Sequence, residues 1–166
     1  MRNLVLMRHA KSDYPEGVAD HARPLAPRGV REGALAGAWI RANVAPVDAV
    51  LCSSAARTRQ TLERTGISAP VKYLDELYDT TPGETLRQIN TVADDVTTLL
   101  VVGHEPTTSA VALRLAGPGS DRAAADRIYG KFPTSAIAVL AVPTPWSELE
   151  MEGAALVGFH VPRQST

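Results

Sequence analysis

Short apolar runs alternate with longer stretches of helical character, and this alternation constrains the fold more than any other feature of the chain. Residues 4–7, 48–52 and 97–102 form three such runs. Strands that alternate with helices are typical of a mostly parallel sheet that is covered on both faces. The sequence therefore predicts an α/β fold, a three-layer sandwich with helices on both faces of the sheet. Its 166 residues fit one domain, 1–166.

The predicted helix over residues 28–43 shows how the chain would cover this sheet. Pro27 precedes it and suits the first helical position. The residues expected on its buried side are Val30, Ala34, Leu35, Ala38 and Trp39. Three glycines recur every four residues, at positions 29, 33 and 37. A ridge without side chains allows a close approach, which we interpret as packing against the sheet.

The rest of the chain continues the same pattern. Ser53 and Ser54 are expected to cap a helix that ends near Arg64. Residues 120–133 are charged and rich in alanine, and they fit either a helix or a mobile flap. A polar tail follows Pro162. The other predicted elements are strands over 71–74, 135–142 and 155–161, a helix over 84–93, and a helix between Pro106 and Gly117.

Charge and cysteine content exclude several classes of function. Seventeen basic and 18 acidic residues give a net charge of −1, so no basic field favours nucleic acid or an anionic membrane. The single cysteine, Cys52, cannot form an intrachain disulfide, and no zinc-ligand grouping is present. Only four apolar residues follow Asn3, too few for a signal peptide or a spanning helix. We expect a cytoplasmic protein, whose oligomeric state the sequence does not indicate.

Unusual polar residues follow three of the predicted strands. Arg8 and His9 end the first, Arg57 follows the second, and His104 follows the strand over 97–102. Ligands of open α/β sheets bind at the carboxyl ends of the strands. Guanidinium groups stay charged and pair bidentately with phosphate oxygens, and helix N-termini add N–H donors. The sequence therefore predicts a phosphate site built from two arginines and two histidines.

The position of His9 beside Arg8 indicates reaction as well as binding. A neutral imidazole has a lone pair for nucleophilic attack at neutral pH, which makes His9 the candidate nucleophile. Glu76, just after the strand over 71–74, is the candidate acid for the leaving group, or else an ordinary surface carboxylate. Cys52 does not have the spacing to Arg57 that a cysteine phosphatase needs. No Walker loop or H-E-x-x-H pattern occurs.

Three ordered motifs resemble the histidine phosphatase superfamily: Leu-Met-Arg-His-Ala-Lys at 6–11, Ser-Ser-Ala-Ala-Arg-Thr-Arg-Gln-Thr at 53–61, and Val-Gly-His-Glu-Pro at 102–106. Two further motifs, at 20–25 and 132–138, resemble its SixA branch of small phosphohistidine phosphatases. The resemblance implies a phosphoglycerate mutase-like fold and a phosphoryl intermediate on His9. It also implies a phosphate pocket of Arg8, Arg57 and His104, with no metal or organic cofactor.

The substrate is less constrained than the reaction. Lys11, Arg23 and Ser135 are candidate substrate-binding residues, although each also fits an ordinary loop or strand position. No large insertion is present to form a deep lid, which favours a shallow site and a phosphohistidine on another protein. A small phosphomonoester or nucleotide phosphatase and a phosphate-recognition module without catalysis are the alternatives. His21 and His160 are interpreted as isolated histidines.

Overall fold

The computed structural model describes residues 1–163, which form a six-stranded sheet with the strand order β3-β2-β4-β1-β5-β6. The strands are β1 (Arg2–Arg8), β2 (Ala49–Ser53), β3 (Val71–Leu74), β4 (Thr98–Gly103), β5 (Ile137–Val142) and β6 (Ala155–His160). The first four pair in parallel, whereas β5 and β6 are antiparallel to their neighbours. The predicted α/β fold is confirmed.

Within residues 1–163, five helices cover the sheet: α1 (Pro27–Asn43), α2 (Ala56–Thr65), α3 (Pro82–Asn90), α4 (Thr107–Leu115) and α5 (Arg122–Gly130). Pro27 begins α1 as predicted, since its fixed φ suits the first turn. The segment 120–133 contains α5, which Asp121 caps and which buries Ala124 and Ile128, so the helical interpretation is correct. Short 3-10 helices span Asp20–Ala22, Asp75–Leu77 and Trp146–Glu148.

Alternating side chains of the strands fill two apolar layers. Leu4 and Leu6 of β1 point into the layer that α3, α4 and α5 cover. Val5 and Met7 point into the opposite layer, which includes Ala36, Ile40 and Leu62 of α1 and α2. Because both faces are buried, the central strands need continuous apolar runs, and these runs were the pattern visible in the sequence.

The packing of α1 corrects two predictions. Ala34, Leu35 and Ala38 are exposed, and the glycines occupy the buried side instead. The close approach is to α2 and to the chain after β1, not to the sheet. A Cβ at Gly37 would lie 2.1 Å from the Thr65 carbonyl oxygen, and one at Gly29 would lie 2.1 Å from that of Lys11. The sequence showed that the helix has a glycine ridge but not what the ridge contacts.

The start of α2 also differs from the prediction. Its N-cap is Ala55, which provides no side-chain cap, so neither serine caps the helix from that position. The Ser53 and Ser54 hydroxyls instead bond side chains from other elements. The polar tail lies outside the described residues from position 164 on. Among residues 1–163, no helix has the length and apolar character needed to cross a bilayer.

Candidate active site

Strand register places three of the motifs side by side at one edge of the sheet. Arg8 at the end of β1 is opposite Gly103 of β4, and Cys52 of β2 is opposite Val102. Ser53 therefore lies level with Gly103. Since the three strands run in the same direction, the residues that follow them meet above this edge. The predicted convergence is a consequence of sheet order β2-β4-β1.

Hydrogen bonds from both the backbone and the ring of His9 fix its position. Its backbone N–H donates to the Gly103 carbonyl at 2.9 Å, and its Nδ1 lies 2.7 Å from the Ala10 carbonyl oxygen. A carbonyl can only accept a hydrogen bond, so Nδ1 carries the ring proton of the neutral imidazole. The Nε2 atom is then unprotonated and has an available lone pair.

Burial keeps this imidazole neutral. It lowers the pKa of His9 from 6.5 to about 3, and the hydrogen bond to Ala10 opposes the shift only in part. The positive charges of Arg57 and Arg8 lower the pKa further. The His9 and His104 ring centroids are 5.3 Å apart.

His104 is anchored by Ser53. Its Nε2 lies 2.8 Å from the Ser53 Oγ, which also accepts a hydrogen bond from the backbone N–H of Ala55. The Ser53 hydroxyl has no other acceptor within residues 1–163, so we assign its proton to the bond with His104 Nε2, which places the His104 ring proton on Nδ1. Burial, followed by the charge of Arg57, lowers the pKa of His104 to about 4. His104 is thus a neutral N–H donor.

The two arginines have buried nitrogen atoms without protein partners. Arg8 donates from Nη1 to the Phe132 carbonyl at 3.0 Å. Arg57 donates from Nη1 to the Asp20 carbonyl at 2.8 Å. Within residues 1–163, the Nε atoms of both arginines and the His104 Nδ1 have no hydrogen-bond partner. Unpaired buried donors are costly, and an anion bound between them would satisfy them.

Ser135 lies against the nucleophile candidate. Its backbone N–H donates to the His9 carbonyl at 3.1 Å, and its φ of 67° is in the left-handed region. A non-glycine residue in this region is uncommon and often marks a functional site. Ser135 is fully buried, and its Oγ has no partner among the described residues. The structure therefore brings this predicted substrate-binding residue to the floor of the site.

Asp20 and Tyr78, which were not among the predicted site residues, lie over Arg57. The Asp20 carboxylate is 3.1 Å from Arg57 Nη2 and also accepts from the Tyr78 hydroxyl. The Tyr78 ring stands edge-on to His104 at 5.6 Å. The hydrogen bond from Tyr78 and the pairing with Arg57 lower the pKa of Asp20 to about 2. The motif at 20–25 begins with Asp20, but no sequence pattern indicates that Asp20 meets Tyr78.

The predicted cations Lys11 and Arg23 lie at the rim. The Arg23 guanidinium is 4.0 Å from the ring centroid of Tyr14, and the Lys11 Nζ is 5.8 Å from it. Arg23 also donates from Nε to the Asp20 carboxylate at 3.1 Å. Both cations therefore belong to the loop that carries Asp20. A direct role of either cation in binding substrate stays a prediction.

The remaining predicted groups differ in position. Glu76 is exposed on the 3-10 helix after β3, and within residues 1–163 its carboxylate forms no hydrogen bond or ion pair. His21 is not isolated: its Nε2 lies 2.9 Å from the Ser54 Oγ, and its ring is edge-on to Tyr78. His160 stacks on Trp39. Nothing joins Glu76 to His9, so its role as the acid stays a prediction.

Metal binding has no cluster to support it in the described part of the chain. Residues 1–163 contain no group of three or more His, Cys, Asp or Glu side chains able to share a metal ion. The site is instead defined by two guanidinium groups, two neutral imidazoles and one paired carboxylate. Such a set fits a phosphoryl group, since it offers hydrogen-bond donors and positive charge beside a nitrogen nucleophile.

Comparison with known sequences agrees with this geometry. The profile of the histidine phosphatase superfamily (branch 1) matches residues 4–96. Rv1276c from Mycobacterium tuberculosis is 64% identical over 158 residues, which are 95% of this chain and 100% of that protein. ML1117 from Mycobacterium leprae is 56% identical over 161 residues, again 95% of this chain and 100% of that protein.

Solved structures give the same result. A candidate phosphohistidine phosphatase SixA from Nakamurella multipartitia has a TM-score of 0.90 at 43% identity, covering 97% of this chain and 96% of that one. A SixA candidate from Agrobacterium tumefaciens has a TM-score of 0.78 at 28% identity, covering 97% of this chain and 99% of that one. The sequence matches, the fold and the paired arginines and histidines lead to one conclusion. The chain belongs to the histidine phosphatase superfamily and is a phosphatase.

Proposed function

We propose that this phosphatase removes the phosphoryl group from a phosphohistidine on another protein, through a phosphohistidine intermediate on His9. Arg8, Arg57 and the His104 N–H hold the phosphoryl oxygens. His9 attacks phosphorus in line, and water then cleaves the intermediate. Ser135, whose N–H bonds the His9 carbonyl, positions the nucleophile.

The hydrogen bond from His9 Nδ1 to the Ala10 carbonyl carries this proposal. It leaves the Nε2 lone pair free for attack and fixes the ring orientation. A phosphate-recognition module would need the arginines but would not need a buried imidazole with this tautomer. The low pKa of His9, about 3, keeps the nucleophile active over the whole neutral range.

Each step balances without a metal ion. The Nε2 electron pair of His9 forms the new P–N bond while the bond from phosphorus to the leaving group breaks, and its electron pair stays on the leaving group. The phosphorylated His9 ring is then a cation whose Nδ1–H remains bonded to the Ala10 carbonyl. Water attacks phosphorus in the second step, and His9 leaves as a neutral imidazole, so the carbonyl supports the ring in both states.

Two observations favour a protein substrate. The structure is similar to that of the SixA candidate from Nakamurella multipartitia over 97% of the chain. The rim residue Asp20 is half exposed, which leaves the mouth of the site open to a side chain presented by a partner. A small phosphate ester or a nucleotide is the alternative substrate. The predicted cytoplasmic location stays an expectation from the sequence.

The test is hydrolysis of para-nitrophenyl phosphate in EDTA by the parent and by His9→Ala. We expect the variant to lose at least about a thousandfold in kcat/KM, because the nucleophile is absent. His160→Ala is the matched control, since it removes a histidine that stacks on Trp39 instead. Equal phosphate release by the parent and His9→Ala would refute the enzymatic mechanism.

The substrate class needs a second measurement. The parent is compared on phosphohistidine proteins, nucleotides and sugar phosphates, and acid-labile phosphate on His9 is sought by rapid quenching. We expect the phosphohistidine proteins to give the highest kcat/KM. A higher kcat/KM for a small ester would be compatible with nucleophilic attack by His9 but would refute the proposed substrate. Loss of activity in EDTA would refute metal independence.

A further inference from the structure

Asp20 is fixed at the mouth of the site by donors from three parts of the chain. Its Oδ2 accepts from Arg57 Nη2 at 3.1 Å and from the Tyr78 hydroxyl, and its Oδ1 accepts from Arg23 Nε at 3.1 Å. The Asp20 carbonyl also accepts from Arg57 Nη1. A carboxylate oxygen can accept two hydrogen bonds, so Oδ1 retains one free acceptor position on a half-exposed side chain.

The ionic state of Asp20 restricts what it can do. The charged or titratable groups that face it are Arg23, Arg57, Tyr78 and His104. Tyr78 and the arginines stabilise the carboxylate, and they lower its pKa to about 2. Asp20 is therefore anionic at any working pH. It cannot donate a proton to a leaving group, but it can accept a hydrogen bond from one.

In-line geometry brings the leaving group towards this carboxylate. The leaving group lies on the side of phosphorus opposite to His9, and His9 is buried, so the leaving group projects to the open rim. Arg57 would hold the phosphoryl oxygens, and the same guanidinium bonds Asp20. The leaving group and Asp20 are thus neighbours around one side chain.

A phosphohistidine requires a group of this kind. When the second ring nitrogen of the substrate is protonated, P–N cleavage leaves the bond's electron pair on the phosphorylated nitrogen, and a neutral imidazole departs. Without that proton an imidazolate must leave, which is far less favourable. A carboxylate that accepts from the N–H stabilises the cationic ring, because opposite charge favours the protonated form. No separate acid is then needed.

We propose that Asp20 is the residue that selects phosphohistidine, by accepting a hydrogen bond from the protonated second nitrogen of the substrate ring. This inference rests on the proposed function. Asp20 performs for the substrate imidazole what the Ala10 carbonyl performs for His9: each acceptor holds a ring N–H while phosphorus moves between the two rings. A phenolate or alkoxide leaving group has no N–H and gains nothing from the carboxylate.

The test compares Asp20→Asn with the parent on a phosphohistidine peptide and on para-nitrophenyl phosphate. We expect the ratio of kcat/KM for the peptide to that for the aryl ester to fall at least about tenfold, the effect of losing one charge-assisted hydrogen bond. Glu16→Gln is the matched control, since it removes an exposed carboxylate four residues earlier in the same loop. We expect the control to keep the parent's ratio.

A pH profile separates this role from a structural one. With the peptide, activity declines at alkaline pH as the substrate ring loses its proton, and we expect this decline to begin about one pH unit lower in Asp20→Asn. A general loosening of the loop would lower kcat/KM for both substrates equally and would not change the pH at which the alkaline decline begins. Thermal melting of both variants shows whether they are folded.

The outcomes distinguish the two proposals. If the parent does not hydrolyse the peptide, the proposed function fails and the role of Asp20 fails with it. If the parent hydrolyses the peptide but Asp20→Asn keeps the parent's ratio and profile, only the inference about Asp20 is overturned. A lower ratio together with the shifted profile supports both.

Discussion

The floor and the rim of the site are built in different ways. The floor consists of Arg8, His9, His104 and Ser135, which the ends of β1 and β4 and the start of β5 position through backbone hydrogen bonds. The rim consists of Asp20, Arg23 and Tyr78, which lie outside the strands and hold one another through side chains. Arg57 belongs to both, since its positive charge lowers the pKa of His9 and its guanidinium bonds Asp20.

Because they are built differently, the floor and the rim suit different functions. Groups that depend on the sheet keep fixed positions, and fixed positions are what phosphoryl transfer requires. Groups that lie in or directly after short 3-10 turns outside the sheet can change without disturbing the core, which suits the selection of a leaving group. We therefore expect changes to the floor or its supports to affect binding, activity or stability, and changes to the rim to affect substrate preference.

The largest expected effect on phosphate binding concerns Arg57, the residue that joins the two regions. We expect Arg57→Ala to weaken tungstate binding by one to two decades, since a hydrogen bond to a charged group contributes about 1.5–3 kcal/mol. The measurement is isothermal titration. Arg59→Ala is the matched control on the same helix, because the Arg59 guanidinium lies 4.1 Å from the Tyr73 ring centroid instead. Unchanged affinity in Arg57→Ala would remove Arg57 from the phosphate pocket.

A second change tests whether the floor depends on the fold. A Cβ at Gly29 would lie 2.1 Å from the Lys11 carbonyl oxygen, so Gly29→Ala must displace the chain just after His9. We expect it to lower the free energy of unfolding by about 1–3 kcal/mol and to reduce activity as well. Urea unfolding and kcat/KM measure both effects.

Gly83→Ala is the control for this comparison, because a Cβ there has open space around it. We expect it to retain full activity and to be as stable as the parent or slightly more so, since alanine is favoured over glycine inside a helix. If Gly29→Ala behaves like Gly83→Ala, the floor does not depend on the packing of α1.

The pH dependence of stability distinguishes the floor from the rim, because His9 and Asp20 titrate in different pH ranges. The folded pKa of His9, about 3, is below its ordinary value of 6.5, so the unfolded chain binds more protons between these values. The contribution of His9 to stability is therefore complete above pH 6.5 and is lost as the pH decreases towards 3. Asp20, with its pKa lowered from 3.8 to about 2, loses its contribution only below pH 3.8.

We therefore expect urea midpoints to fall between pH 7 and pH 5, and to fall less in His9→Asn than in the parent. Asp20→Asn should have the same decrease as the parent over this range. We also expect kcat/KM for the aryl ester to stay level down to about pH 4, lower than an unperturbed histidine would allow. An acid decline near pH 6.5 would show that the nucleophile is less buried than the structure indicates.

The sequence predicted the residues of the floor and Arg23 of the rim, but not Asp20 or Tyr78, for a physical reason. Arg8, His9 and His104 follow apolar runs, and parallel strands bring their carboxyl ends together whatever the loops do. Asp20 and Tyr78 are 58 positions apart and meet only because the 3-10 segments that carry or precede them both fold over Arg57. A contact between residues so far apart in the chain leaves no local sequence pattern.

The fold shows the same limit. The bounds of β3 and the proline at the start of α1 were predicted, because strand runs and helix starts have local causes. The buried side of α1 was wrong, since it depends on contacts with Thr65 and Lys11 that lie elsewhere in the chain. The antiparallel direction of β5 and β6 also depends on distant pairing.

The smallest expected effect concerns Glu76, the acid suggested by the sequence. Its neighbours Asp75 and Tyr78 contact Ser54 and Asp20, whereas Glu76 itself is exposed. If the substrate ring brings its own proton, Glu76 has no proton to supply, and Glu76→Gln should change kcat/KM for a phosphohistidine peptide less than about twofold, like other exposed substitutions. If kcat/KM instead falls tenfold or more and the alkaline side of the pH profile changes, Glu76 is the proton donor. The leaving group is then protonated from the segment after β3.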